Sequence, residues 1–347
     1  MTSAKTYFFE TGIYRPPSEG GAHSLLLRIT RNCPWNRCTF CSMYKEEKYE
    51  IREIDELKRD IDAVAAIRDI LRKASIKLGL DGEITPEVAY EVMNTEAEVA
   101  ISPGFTAVAN WLLCGGETAF LQDANSLNLK SEKLVEILSY LRNTFPSLNR
   151  VTTYARAKTI AKKGLDELIA IRKAGLDRLH VGLESGDDEI LAKTKKGVTS
   201  QEQIVAGKKA MEAGFELSEY WMPGLGGFEK WEQHARNTAR VLNEIEPHFA
   251  RSRPFFPQPG TPIHDEFLKG ELHLLKVDEV LTELKLMIEE LRFNSRLCFD
   301  HGANGWTDDE GRHLFSFDYE GYKFPEEKQE VLQRIERGLA GARSRVR

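Results

Sequence analysis

Only five cysteines occur among the 347 residues, too few and odd in number for a disulfide framework. There is also no uncharged apolar run of the length needed to cross a bilayer, so membrane insertion is not expected. The first twenty-one residues carry Glu10, Arg15 and Glu19 and lack the apolar core of a secretory signal, which predicts a cytoplasmic protein. Neither sign of charge dominates. Lys plus Arg number 48 against 54 Asp plus Glu, a net charge of −6 that exerts no global pull toward nucleic acid or anionic lipid. Internal repeats and low-complexity linkers are absent. With 41% hydrophobic and 29% charged residues, the composition is that of a globular chain large enough to bury a sizeable core.

What is present is an alternation of short apolar runs with longer segments of helical period. Strands are predicted at Leu25–Thr30, Asn110–Cys114, Arg150–Tyr154, Arg178–Leu183, Glu216–Met222 and His248–Phe256. Helices are predicted at Ile54–Leu78, Ser131–Asn143, Thr159–Ala174, Ser200–Ala213 and Lys230–Ile245, each with spaced apolar positions and a charged opposite face. Strands joined by single helices pair in parallel through right-handed crossovers. The expected fold is α/β, a partial (β/α)6 TIM-like barrel of parallel strands with a helical C-terminal extension. Its expected parts are a lead segment 1–24, a core barrel 25–262 and an extension 263–347, with helices near Val277–Leu291 and Glu326–Leu339. Gly79–Phe105 reads as an insertion in the first crossover carrying one short helix around Glu87–Met93.

Three of the five cysteines fall in Cys33-Pro-Trp-Asn-Arg-Cys38-Thr-Phe-Cys41, directly after the first predicted strand. Parallel sheets build their sites from loops at the carboxyl ends of strands, where several loops converge. Three thiolates in one compact loop can bind three irons of a cubane, leaving the fourth open to an exogenous ligand, whereas electron carriers normally supply four cysteines. Two other readings of the same residues are a zinc site completed by a distant histidine and a four-cysteine cluster using Cys114 or Cys298.

This loop resembles the signature of the radical S-adenosylmethionine (SAM) superfamily, with Phe40 as the aromatic before the last cysteine. Four residues separate the first two cysteines, Pro34 to Arg37, where the usual form has three; a minority of the superfamily shares the longer spacing. The resemblance covers about Leu25 to Pro262. It is closest to the branch that holds anaerobic coproporphyrinogen dehydrogenase, the methylthiotransferases and the Elongator catalytic subunit. It implies a [4Fe–4S] cluster on Cys33, Cys38 and Cys41, SAM bound to the open iron, and reductive cleavage to a 5′-deoxyadenosyl radical. A reductant such as flavodoxin or ferredoxin is then an expected partner.

Further motifs carry the same resemblance. Gly115-Gly116-Glu117 resembles the family's Gly-Gly-Glu motif, in which the glycines admit a ligand and Glu117 accepts from an ammonium group, although such a triplet is often a turn. Glu184 and Ser185, closing the fourth predicted strand, resemble the ribose-contacting position, with a helix N-cap as the structural alternative. Arg156 can pair with the SAM carboxylate. The loops beginning at Met222 and Phe255 are of the kind that shape an apolar slot for adenine.

Cys114 and Cys298 are isolated, so a second cluster lacks ligands. The segment Leu297–Trp306 is the candidate for substrate chemistry, because Asp300 beside His301 can move a proton. Tyr220 is expected in the core. A small-molecule substrate is expected. Arg334, Arg337, Arg343, Arg345 and Arg347 form a basic C-terminal run, and nucleic acid is a less favoured partner.

Overall fold

The computed structural model describes residues 7–20 and 23–345, with described side chains running to Gly341. The parts of the lead segment at 1–6 and 21–22, and the side chains of Arg343, Arg345 and Arg347, lie outside the described residues. In chain order the first elements are β1 (Ser24–Arg28), β2 (Thr30–Arg31), β3 (Glu50–Ile51), α1 (Ile54–Lys77), α2 (Pro86–Thr95), α3 (Ala97–Ala100) and α4 (Phe105–Leu113). Next come β4 (Thr118–Gln122), α5 (Ser131–Thr144), β5 (Arg150–Ala155), α6 (Ala157–Lys162), α7 (Leu165–Lys173), β6 (Arg178–Glu184), α8 (Asp188–Lys193) and α9 (Ser200–Glu212). The last are β7 (Glu216–Trp221), α10 (Gly227–Ile245), β8 (Phe249–Ser252), α11 (Pro262–Leu268), α12 (Val277–Glu290), β9 (Arg296–Cys298), β10 (Tyr322–Lys323) and α13 (Lys328–Arg345).

Eight strands form one mostly parallel sheet in the order β1-β4-β5-β6-β7-β8-β9-β10, and β2 pairs with β3 in a separate ribbon. The α/β class and the parallel, helix-connected sheet agree with the sequence reading. The alternation runs one strand further than expected: β9 joins β8 in parallel, and β10 closes the edge antiparallel to β9. The chain divides into two compact units, residues to 34 with 48–154 and 166–178, and residues 35–47 with 155–165 and 179–347.

In the first unit, β1, β4 and β5 run parallel with Ser24 opposite Thr118 and Thr118 opposite Arg150. Helix α1 buries Leu57, Ile61, Val64, Ile67 and Leu71, spaced three or four apart along one face. Each such side chain contributes roughly 1.5–3 kcal/mol through removal from water. The insertion Gly79–Phe105 holds two helices rather than one, α2 and α3, and α4 begins at its last residue.

Helix α4 corrects the sequence reading. Asn110–Cys114 is not a strand but the end of this helix, and the strand begins at Thr118. A four-residue apolar run fits either state; Phe105, Val108, Ala109 and Trp111 decide it by burying one helical face. Trp111 meets Phe145 edge-on at 5.4 Å. Gly115 and Gly116, at φ 98° and 65°, then end the helix: Gly116 N donates to Trp111 O and Gly115 N to Leu112 O, the paired bonds of a Schellman cap.

In the second unit, β7, β8 and β9 pair in parallel, with Tyr220 opposite Arg251 and Arg251 opposite Cys298. Helix α9 starts with a capping box between Thr199 and Glu202, and α10, α12 and α13 pack in series. The predicted single helix Thr159–Ala174 is two, α6 and α7, because Lys163 is extended and Gly164 follows it. Tyr220 is buried, as expected, beside His180.

Candidate active site

In the first unit, Cys33 follows β1 and β2 at the carboxyl end of the parallel strands and is half-buried. Burial raises the neighbouring Tyr49 phenol, Cys33 adding to it; Tyr49 Oη accepts from Asn128 Nδ2 at 2.8 Å, which opposes the rise. Gly115, Gly116 and Glu117 lie at the opposite end of these strands. β4 begins at Thr118, level with Ser24, and a five-residue strand separates them by roughly 13 Å from its carboxyl end. Glu117 there accepts from Asn149 Nδ2 at 2.9 Å. The two glycines cap a helix, so the expected Gly-Gly-Glu ligand site is overturned.

Asp123 stands where that motif was expected, one residue past the carboxyl end of β4. Its Oδ2 accepts from Arg28 Nε at 2.7 Å and from Asn32 N at 2.9 Å, which ties it to the residue before Cys33. Its Oδ1 is buried and makes no hydrogen bond. Gln122 holds the lead segment beside it, accepting from Gly12 N and donating to the Gly12 and Tyr14 carbonyls. A Cβ on Gly12 would come within 2.4 Å of Asp123 Oδ1, so only glycine fits there. The sequence signal was an acid directly after the run Ala119-Phe-Leu-Gln122, hidden by the one-element misplacement of that strand.

In the second unit, the rest of the cysteine loop is fastened at several points. Thr39 N donates to Thr194 O, Ile263 N to Thr39 O, and Lys45 Nζ to the carbonyls of Asn36 and Cys38. Trp35 Nε1 donates to Lys195 O at 2.8 Å, and the Arg37 and Arg156 guanidiniums lie 5.1 and 4.9 Å from its ring centre. Gly197, at φ 74°, leaves room for the indole, since a Cβ there would sit 2.4 Å from it. Arg156 also donates to Lys196 O at 2.8 Å. It thus braces the loop rather than presenting an unengaged carboxylate-binding fork.

Lys196 is the cation that sequence reasoning missed. Its Nζ lies 2.7 Å from Glu184 Oε1 with both side chains largely buried. Burial works against the ammonium, but Glu184 and the Cys38 thiol outweigh it and hold the lysine above its usual pKa. Burial raises the Cys38 thiol; Lys196 opposes this, Glu184 and Cys41 add to it, and Arg156 opposes it. Glu219 on β7 is buried, with Oε2 lacking a hydrogen bond, and burial pushes its carboxyl well above the ordinary range. The same electrostatic neighbourhood therefore contains Cys38, Cys41, Arg156, Glu184, Lys196 and Glu219.

Glu184 ends β6 at φ 62°, and its carbonyl accepts from Met222 N at 2.9 Å. His234 Nε2 approaches the same carbonyl, while Glu283 takes His234 Nδ1 on one oxygen and Gly224 N on the other. Phe40 packs against an apolar cluster of Ile190, Met222, Leu225, Phe255, Ile263 and Leu272. The two loops expected to shape an apolar slot are thus brought together. Ser185 is fully buried, and its Oγ accepts from Asp187 N, supporting Asp187 as the N-cap of α8. That is the structural alternative for this motif.

Asp300 and His301 are not engaged with each other. Asp300 forms a buried ion pair with Arg251 at 3.0 Å, and His301 Nδ1 accepts from Ala303 N. Burial and then Arg253 lower the His301 pKa, partly opposed by Asp300. Arg334 pairs with Glu330 and lies over Tyr322, an ordinary surface role.

The donor set suits a thiolate-bound group: none of the five cysteines is in a disulfide, and the three in the loop are half-buried. Among the described residues no three His, Cys, Asp or Glu side chains converge as ligands of a single ion. A cubane spreads its thiolates over separate irons and needs no such convergence. Cys114 is exposed at the wrong end of the strands of its unit, and burial pushes the Cys298 thiol up to about 12. Neither is suited to complete a ligand set. No helix among the described residues is long and apolar enough to cross a membrane.

The family model of the radical SAM superfamily matches residues 106–237, a stretch that begins after the cysteine loop. The heme chaperone HemW of Bacillus subtilis (strain 168) is 25% identical over 160 residues, 46% of this chain and 41% of that relative, so the chain matches less than half of the relative's length. Among solved structures, methylornithine synthase (PylB) aligns at a TM-score of 0.45 and 15% identity, covering 91% of this chain and 70% of that one. The radical SAM methyltransferase TsrM from Kitasatospora setae aligns at 0.49 and 16%, covering 76% and 44%. Coproporphyrinogen III oxidase (HemN) from Escherichia coli aligns at 0.41 and 15%, covering 50% and 39%. The family match spans strands β4 to β7 and the helices between them, so the likeness to the radical SAM superfamily rests on the middle of the chain.

Proposed function

We propose that the chain is a radical SAM enzyme acting on a small organic substrate. The observation that carries this reading is the three-cysteine loop, none of its thiols in a disulfide, at the head of a parallel sheet whose following strands match the superfamily model. Cys33, Cys38 and Cys41 would hold a [4Fe–4S] cluster. Such a cluster would supply one-electron reduction of SAM, with the electron from a flavodoxin- or ferredoxin-like reductant; cleavage of a carbon–sulfur bond would leave methionine and a 5′-deoxyadenosyl radical able to take hydrogen from the substrate. The protein's own residues bind, orient and exclude water. Asp123, with one carboxylate oxygen unused, takes the ammonium-binding role first expected of Glu117. Lys196 replaces Arg156 as the cation offered to a carboxylate, and Glu184 is held ready for a ribose hydroxyl by its lysine partner. Phe40, Met222 and Phe255 supply apolar surface for a purine.

Anaerobic reconstitution with iron and sulfide, followed by dithionite and SAM, tests the reading. Formation of 5′-deoxyadenosine that is lost in Cys38→Ser and retained in Cys114→Ser is expected. A protein that assembles its cluster yet never cleaves SAM would refute it. The likeness to a heme chaperone favours a second reading, haem carriage without catalysis. Haem retained through gel filtration by a chain that leaves SAM intact would select that reading instead.

A further inference from the structure

The carboxyl ends of β7, β8 and β9 carry a polar group that the SAM-binding residues do not use. Arg251, the penultimate residue of β8, lies in register between Tyr220 and Cys298. Its Nε donates to Ser218 Oγ at 3.0 Å, and its guanidinium lies 4.8 Å from the Phe249 ring centre, which fixes its plane. Asp300, two residues beyond β9, faces it with Nη1 and Oδ2 3.0 Å apart and both side chains 1% exposed.

Both partners are under-used. Beyond their mutual ion pair, neither Asp300 oxygen nor Arg251 Nη1 has a hydrogen-bond partner. A carboxylate offers about four acceptor sites and a guanidinium five donors. A buried ion pair repays its desolvation only when the remaining valences are satisfied. This pair is therefore a poor structural device, and it sits at the end of the sheet where parallel folds place substrates.

We propose that Arg251 and Asp300 anchor the α-amino-acid end of a zwitterionic substrate, the guanidinium taking its carboxylate and Asp300 its ammonium. The assignment rests on the radical SAM reading and supplies the substrate class that reading leaves open. Charge balance favours this class over a simple acid or amine. The pair is neutral together, so a zwitterion adds no net charge to the buried site, whereas a lone anion or cation would leave one uncompensated. The Ser218 and Phe249 contacts hold the fork in place before the ligand arrives.

The test uses the full chain after anaerobic cluster assembly. Thermal unfolding is followed with each proteinogenic amino acid in turn, and with the matching carboxylic acid and amine of any that binds. At least one amino acid should raise Tm by several degrees at saturation while its half-analogues do not. Arg251→Gln alone strands a buried carboxylate and can fail to fold. The double variant Arg251→Met with Asp300→Leu removes both charges and should keep its Tm. It should lose the amino-acid shift entirely while still cleaving SAM in the absence of substrate. An equal shift with the half-analogues, a shift retained in the double variant, one abolished by SAM in competition, or no shift with any amino acid would each overturn the assignment. If amino acids bind but SAM is never cleaved, the anchor stands and the radical SAM reading fails; the reverse outcome removes the anchor alone.

Discussion

Replacing Lys196 with methionine should expose how the second unit's polar site is balanced. The ammonium lies 2.7 Å from Glu184 Oε1, with side-chain exposures of 11% and 13%. At an effective dielectric of about 20 the gross attraction is roughly 6 kcal/mol, most of it offset by desolvation. Removing the lysine alone leaves Glu184 buried without its counter-ion, a loss of about 3–5 kcal/mol, whereas a solvated pair would contribute about 0–1 kcal/mol. The double variant Lys196→Met with Glu184→Gln should recover most of that loss, since no charge is then stranded. Urea unfolding of the four proteins under anaerobic conditions at pH 7 measures the coupling directly. The Cys38 thiol provides an independent readout: without Lys196 its thiolate loses its favourable neighbour, and alkylation at pH 8 should slow. A single variant that loses less than about 1 kcal/mol, or a double variant no better than the sum of the singles, would refute the balance described here.

Three further outcomes follow from individual residues. Glu219→Gln should leave stability unchanged near pH 4 and raise it increasingly at neutral pH. The wild-type carboxyl is held protonated in the folded state, so the unfolded chain releases that proton first and stability falls, by at most about 1.4 kcal/mol per pH unit, from roughly pH 4.5 upward until the folded group ionises; a pH-independent difference in unfolding free energy would contradict the buried neutral acid. Gly116→Ala should cost about 1–2 kcal/mol in urea unfolding, because its φ is 65° and the new Cβ would lie 3.1 Å from Leu112 Cδ2, while SAM cleavage per folded molecule stays intact; a selective loss of cleavage would return the glycine to the ligand site. Asp123→Asn should weaken SAM binding at least tenfold in equilibrium dialysis while Glu117→Gln leaves it unchanged, and equal effects would remove the distinction drawn between the two ends of β4.

Most candidates for the site come from local sequence, because motif spacing and strand ends need no coordinates. Cys33, Cys38 and Cys41 stand out by their spacing, Phe40 by its place before the last cysteine, and Glu184 and Met222 by their places at strand ends. The failures share a cause. Asn110–Cys114 was too short for periodicity to separate strand from helix, and only the face formed with Phe105 and Val108 resolves it. That single error put the expected ligand motif on a helix cap and left Asp123 unnoticed. Lys196 and Glu219 carried no motif, since burial beside Glu184 and Cys38 is a property of folded neighbours.

The sequence by itself determined the α/β alternation, the order of most elements and the close spacing of three cysteines, because these depend on apolar period and residue spacing along the chain. Tertiary structure alone decided which end of β4 faces the cysteine loop in the first unit, which cation partners Glu184, and that Asp300 belongs to Arg251 rather than to His301. Each of these is set by pairing and burial between residues far apart in sequence, where desolvation makes one partner acceptable and another costly.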